Sequence, residues 1–265
     1  MSQPLANIHP EAKIGKNVTI EPFATIQKNV IIGDGSWIGP NAVIWEGARL
    51  AKNVKVFPGA SVSAVPQDLK FAGEDTETFI GDNTVIREFV TISRGTSDKY
   101  KTVVGNNCLL MAYVHIAHDC IVGNNCILAN TVQLAGHVQI DDWAIIGGSS
   151  AVHQFVKVGV HVMVSGGSLV RKDIPPYTKA AREPLTYCGV NTIGLRRRGF
   201  DAEKISEIQE IYRYIFLKGL NNSKALDLVE RELPTSQEKE NIVNFIRGSD
   251  RGIMKGFSTS TSSFE

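Results

Sequence analysis

Four histidines, His115, His118, His137 and His153, fall within one 39-residue stretch of this 265-residue chain; the other two are His9 and His161. Imidazole is the side chain best suited to take up a proton near neutral pH. Asp119 directly follows His118. A carboxylate there can hold the ring in one tautomer, the orienting role of a catalytic triad. Gly136 lies 18 residues beyond His118, where a backbone N–H can meet a developing oxyanion. No Gly-x-Ser-x-Gly elbow is present, and no cysteine is paired with a histidine as a covalent nucleophile. The chemistry expected is direct transfer under general-base catalysis.

Such a constellation needs a rigid frame, and a six-residue repeat provides one. From Ile8 to Val170, stepping by six gives 28 positions, all aliphatic except Asp68, Glu74 and Asp98. The residue two places earlier is usually small or β-branched, as at Val18, Ala24, Val30 and Ser36. A spacing of two is strand periodicity, so each hexad reads as a short strand with two inward side chains and then a corner. Glycine often follows the aliphatic residue (Gly15, Gly33, Gly105, Gly123), as a tight turn would favour. This is the pattern of a parallel β-helix. With three hexads to a coil, residues 18 apart stack at ~4.8 Å. His118, Asp119, Gly136, His137, His153 and Gln154 then share one corner over three coils, a height of ~10 Å. None of the six histidines occupies an inward slot.

The prism is expected over 1–190, interrupted by polar loops at 63–79 and 93–103. A helical domain is expected over 191–257. There Ile205, Ile208, Ile211, Tyr212, Ile215 and Phe216 follow helical spacing after an Asp201 cap and before Gly219. The Ser/Thr-rich 258–265 reads as a disordered tail. Formal net charge is +1, which argues against nucleic acid as a partner. No apolar run is long enough for a transmembrane segment, and no signal peptide is visible. The four cysteines lack metal-ligand spacing and fit a reducing cytoplasm. Cys108, Cys120 and Cys126 fall on inward small-residue slots as core packing.

Several motifs together are more specific. They are His115-Ile116-Ala117-His118-Asp119-Cys120, Leu134-Ala135-Gly136-His137, Ala151-Val152-His153-Gln154-Phe155, Gln67-Asp68-Leu69-Lys70, Gly189-Val190-Asn191 and Arg197-Arg198-Gly199-Phe200. In order and spacing they resemble the hexapeptide-repeat acyltransferases that acylate the 3-hydroxyl of UDP-N-acetylglucosamine at the start of lipid A biosynthesis. The resemblance implies a left-handed β-helix, mainly β, followed by a small α-helical part. It implies a homotrimer with sites between prisms, acyl carrier protein as donor of an R-3-hydroxyacyl chain, and no cofactor or metal. By position, His118 is the base, Asp119 its partner and Gly136 the oxyanion donor. Gln67, Asp68, Lys70, His115, His137 and His153 would contact donor or acceptor, with Gln154 beside them. Asn191, Arg197 and Arg198 would bind nucleotide or donor. Gly166, with Met163, would be the acyl-chain ruler, and the missing side chain predicts a chain of roughly fourteen carbons or more. Three residues depart from the family pattern: Ile193 where Glu is frequent, Ser93 where His is common, and Pro184.

Competing readings predict other features. A later N-acyltransferase of the same pathway carries a uridine-binding domain before the prism, yet hexads here start at Ile8. A zinc hydrolyase of the γ-carbonic anhydrase type would need three histidines converging between subunits, for which His115, His118 and His137 could be mistaken. A structural or ice-binding solenoid would show flat outward rows, often Thr.

Overall fold

The computed structural model describes residues 4–256. The expected tail at 258–265 lies outside them. Among the described residues, two-residue strands recur every six residues and stack into three parallel faces. Face one includes His115–Ile116, Gln133–Leu134 and Ala151–Val152. Face two includes Ile121–Val122, Gln139–Ile140 and Lys157–Val158. Face three includes Ile127–Leu128, Ile145–Ile146 and Met163–Val164. The winding is a left-handed parallel β-helix.

Register explains why the hexad phase survives both interruptions. Successive coils pair residues 18 apart, as in Asn7↔Thr25 and His115↔Gln133. Across the first loop the partners are Ser61↔Thr91, 30 apart, and across the second Thr91↔His115, 24 apart. The insertions are therefore two hexads and one hexad long. Asp68, Glu74 and Asp98 lie in these loops and not in inward slots. The flanking strands Ser61–Ala64, Glu77–Ile80, Thr91–Ser93 and Lys101–Val104 reach further than the hexads imply. The loops proper are thus 65–76 and 94–100.

Both inward slots are closed to solvent: Val114, Ile116, Cys120, Val132 and Leu134 are each fully buried. Each such aliphatic side chain contributes ~1.5–3 kcal/mol by burial. The corners work differently from the expected glycine turn. Positive φ falls three residues after the aliphatic residue, at Asn17, Asn41, Asn83 and Asn125 among others, and asparagine tolerates it. The glycine immediately after the aliphatic residue serves close approach instead. At Gly33 an added Cβ would lie 2.5 Å from the Ala51 carbonyl oxygen, and at Gly105 2.6 Å from that of Gly123.

Beyond Val170 the chain forms an antiparallel hairpin, Thr178–Ala181 with Thr186–Val190. Among the described residues four helices follow: α1 (Thr192–Arg197), α2 (Ala202–Leu217), α3 (Asn222–Glu232) and α4 (Gln237–Arg247). The Asp201 carboxylate caps α2 by accepting from the Lys204 N–H. Ile205, Ile208, Ile211, Tyr212 and Ile215 turn inward onto a second core with Leu226, Val229 and Ile242. No described helix is long and apolar enough to cross a membrane.

Candidate active site

One edge of the prism, where face one turns into face two, carries the constellation. Asp119, His137 and Phe155 occupy its positive-φ position in successive coils, at φ 59°, 64° and 63°. The same corner position is at positive φ throughout the prism, as at Phe23, Phe89, Tyr113 and Trp143, so the turn geometry of the coil sets where these three side chains project.

Asp119 is fully buried and accepts four hydrogen bonds. Its Oδ1 takes the Thr96 N–H at 3.0 Å and the Lys99 N–H at 3.3 Å. Its Oδ2 takes the Thr96 hydroxyl at 2.6 Å and His118 Nδ1 at 2.8 Å. Burial alone would raise this carboxyl, but the bonds from Thr96 and His118 outweigh it and hold it below the usual range. A carboxylate can only accept, so Nδ1 of His118 donates to it, and in the neutral ring the lone pair is then on Nε2. Nε2 points to the opposite side, 3.6 Å from Asp68 Oδ2 in loop 65–76. His118 is only 6% exposed, because the two loops fold over a position that faces outward on the prism itself.

Gly136 lies against this ring. A Cβ there would sit 2.6 Å from His118 Cε1 and 2.7 Å from Nε2, so the imidazole occupies space that only glycine leaves open. The N–H of Gly136 takes no part in the coil-to-coil ladder, which uses Ala135 and His137 on either side. His137 stands edge-on to His118 at 5.0 Å and stacks on Phe155 at 4.4 Å. Its Nδ1 is 3.1 Å from Asp98, but the angle makes no hydrogen bond and the atom is buried unpaired. Burial pushes the His137 imidazole pKa down, partly opposed by Asp119. Burial, then the neighbouring His118, lowers that of His115, whose Nδ1 meets the Thr91 hydroxyl at 2.7 Å.

Asp68, Lys70, Glu74, Thr96, Asp98, His137 and Phe155 line a cleft of about 260 Å³. Gln67, His153 and Gln154 are exposed, the last two just below His137 on the same edge. The three groups closest to a metal-ligand arrangement are His118, Asp119 and His137, with atoms within 4.8 Å of one another. All four acceptor positions of Asp119 are filled by protein donors, so this set does not suit a cation.

The remaining expected residues lie elsewhere on the single chain. Arg198 is on the edge between faces two and three, its guanidinium 3.1 Å from His161 Nδ1 and 5.2 Å from the Trp143 ring. Arg197 is exposed beside it. Asn191 lies at the start of α1. It is 5% exposed, its Oδ1 caps α1 at Gly194, and its Nδ2 donates to the His161 carbonyl at 3.0 Å. Met163 and Gly166 are on face three and its edge with face one. Separations from His118 that are not multiples of 18 put them at other corners. Ser93 is buried, Ile193 is exposed, and Pro184 borders a groove with Leu169 and Leu185. Thr96, Asp98 and Lys99 were not apparent from the repeat, since they come from a loop outside it. Phe155 carried a signal: a bulky residue at a positive-φ corner in the His column.

Comparison with known proteins bears on this arrangement. Residues 173–254 match the family described as UDP-N-acetylglucosamine O-acyltransferase, domain 2, and residues 101–136 the bacterial transferase hexapeptide family. An acyl-[acyl-carrier-protein]–UDP-N-acetylglucosamine O-acyltransferase of Aquifex aeolicus is 59% identical over 195 residues, covering 73% of this chain and 75% of that protein. The crystal structure of a UDP-N-acetylglucosamine acyltransferase from Bacteroides fragilis superposes with a TM-score of 0.95 at 55% identity, covering 96% of this chain and 100% of that one. Its counterpart from Acinetobacter baumannii gives 0.93 at 40% identity, covering 96% and 99%.

Proposed function

The chain belongs to the acyl-[acyl-carrier-protein]–UDP-N-acetylglucosamine O-acyltransferase family, and from that premise we propose how its own residues carry the reaction. The enzyme transfers an R-3-hydroxyacyl chain from acyl carrier protein to the 3-hydroxyl of UDP-N-acetylglucosamine, the first step of lipid A biosynthesis. His118 is the general base. Its Nε2 takes the proton of the sugar hydroxyl as that oxygen attacks the thioester carbonyl. Asp119 keeps the proton on Nδ1 and stabilises the imidazolium that forms. Asp68, 3.6 Å from Nε2, adds a second negative charge to that cation. The Gly136 N–H donates to the tetrahedral oxyanion. Collapse of the intermediate expels the thiolate of the carrier, which recovers a proton from His118. The acyl group passes directly, with no acyl-enzyme.

One observation carries this reading: the His118 ring is clamped at Nδ1 by a fully buried, fully hydrogen-bonded carboxylate, while Nε2 faces Asp68, which lines the cleft. Lys70, His115, His137, His153, Gln67 and Gln154 line or border the path of the substrates. Arg197 and Arg198 offer charge to their phosphates. These groups occupy different edges of one prism, so a homotrimer that sets the edge of one prism against another unites them. Met163 and Gly166 then limit the acyl chain. The free, mostly buried thiols agree with a cytoplasmic enzyme.

The test is a single-turnover reaction with 3-hydroxyacyl carrier protein and UDP-N-acetylglucosamine, read by product NMR and intact-protein mass. A 3-O-ester with no acylated protein at any time is the expected result. An acyl-enzyme that forms and decays at the rate of turnover would overturn direct transfer.

A further inference from the structure

Asp119 owes its burial to a loop and not to the prism. Phe155, at the same corner two coils on, is 51% exposed. Asp119 is fully buried because loop 94–100 closes over it. That loop is tied at both ends: the Arg94 N–H donates to the Ala64 carbonyl at 2.9 Å, and the Tyr100 N–H to the Thr96 carbonyl at 2.8 Å. A Cβ at Gly95 would collide with the Lys101 nitrogen, so only glycine lets the loop fold back against its own exit. Thr96 follows directly and is buried.

Thr96 grips both oxygens of the carboxylate. Its N–H reaches Oδ1 at 3.0 Å, and its hydroxyl donates to Oδ2 at 2.6 Å. Oδ2 is also the oxygen that accepts from His118 Nδ1, at 2.8 Å. Hydroxyl and imidazole therefore share the charge of one oxygen. Burial pushes the Asp119 carboxyl up, and the Thr96 hydroxyl comes first among the bonds that hold it down. The Thr96 oxygen itself accepts from the Asp98 N–H at 3.3 Å, which leaves its proton for Asp119. Thr102 acts differently: its hydroxyl oxygen accepts from the Asp119 backbone N–H at 2.9 Å and leaves the carboxylate alone.

We propose that Thr96 is a positioning residue for the reaction: through Asp119 it fixes the orientation of the His118 ring and tempers the pull of the carboxylate on the Nδ1 proton. The inference rests on His118 as the general base. Without the hydroxyl, Oδ2 concentrates its charge on Nδ1 and stabilises the imidazolium. The ring then keeps its second proton to higher pH and serves as a base over a narrower range. The carboxylate also gains room to turn, since the two N–H bonds to Oδ1 are all that hold it besides the ring. The other charged groups around the pair are common to wild type and variant. They are Asp68, 3.6 Å from Nε2, with Lys70 and Glu74 beyond it in the cleft. His137 Nδ1 is 4.0 Å from Asp119 Oδ2, with Asp98 beside it. Lys99 Nζ is 3.4 Å from the Asp119 carbonyl, and His115 lies on the preceding strand.

The experiment follows kcat and KM against pH for full-length wild type, Thr96→Val, Thr96→Ala and Thr96→Ser, each with a melting curve. The substrates are 3-hydroxyacyl carrier protein and UDP-N-acetylglucosamine. Valine keeps the shape and the N–H bond to Oδ1 and removes the hydroxyl; alanine removes it without placing a second methyl beside Oδ2. In either, kcat should fall roughly 10-fold, the scale of one hydrogen bond to a charged group, with both KM values within about twofold of wild type. The acidic limb of kcat/KM should move up by ~0.5–1 pH unit. Serine restores the hydroxyl and should recover both the rate and the limb. A threonine that only closes the loop would leave the limb in place. A folded hydroxyl-free variant with the wild-type limb, or equal losses with serine and valine, overturns the assignment. Thr96→Val is also combined with His118→Ala, where it should slow turnover no further. A loss that persists there shows Thr96 acting apart from the base, and overturns the assignment as well. A folded His118→Ala enzyme with near-normal kcat faults the base reading instead, whatever Thr96→Val does.

Discussion

Replacing Gly136 by alanine should cripple turnover while leaving the fold intact. The added Cβ would lie 2.6 Å from Cε1 and 2.7 Å from Nε2 of His118. Carbon atoms pack best at about 3.5–4.0 Å, so the ring must retreat by ~1 Å. It cannot do so freely: Asp119 holds Nδ1 at 2.8 Å, and the His137 ring stands edge-on at 5.0 Å. A misplacement of about 1 Å at the reacting group costs on the order of 10²-fold in rate. Alanine keeps the backbone N–H, so the oxyanion donor is retained and the loss reports ring position. Overpacking of this kind costs ~1–3 kcal/mol of stability, visible as a modest fall in Tm. The assay is kcat for Gly136→Ala, for His118→Ala and for the double variant, each with a melting curve. If the alanine acts through the ring, the double variant should be no slower than His118→Ala alone. A folded Gly136→Ala enzyme with kcat near wild type, or losses that multiply in the double variant, would refute the reasoning.

Arg197 is exposed and free of the packing that binds Arg198 to His161 and Trp143. Arg197→Ala should raise KM for one substrate by about 2–5-fold, less so at high salt; salt-independent, unchanged KM values would rule out the anion contact. His161 is pushed down to about 4 from 6.5 by burial and then by the Arg198 guanidinium. The unfolded chain therefore protonates first as pH falls. The stability contributed by the neutral ring is complete above 6.5 and lost on the way to 4. His161→Gln, which still offers Arg198 an acceptor, should flatten the Tm decline in that window, and parallel curves would count against it. Gly166→Met should shift donor preference from about fourteen carbons to shorter chains, each lost methylene contact worth ~0.8 kcal/mol. Its Cβ would meet the Gly148 carbonyl oxygen at 3.0 Å, tight but open on the other sides; an unchanged chain-length profile would place the ruler elsewhere.

The prism was legible because its side chains obey two short periods at once, and every inward slot of a narrow core must be filled. The 18-residue coil already sets Gly136 over His118. What the repeat could not encode was the path of the loops. Thr96 and Lys99, which fill the acceptor positions of Asp119, and Asp68, which faces Nε2, come from segments with no period of their own. Because both insertions are whole hexads, Asp68, Glu74 and Asp98 looked like faults in the ladder instead of departures from it. The corner glycines misled for a related reason. A glycine required for the approach of a neighbouring coil and one required for positive φ look alike in sequence, and only the register separates Gly33 from Gly35. The Asn191 amide, whose ends meet the cap of α1 and the His161 carbonyl, is likewise placed by the helical part and not by the repeat.

The central claim is that His118 Nε2 takes the proton of the attacking sugar hydroxyl. It is tested most directly by kcat of His118→Ala in a protein whose Tm and oligomeric state match wild type. Loss of the base should lower kcat by roughly 10²–10⁴-fold. A well-folded His118→Ala enzyme that keeps near-normal kcat would contradict the assignment.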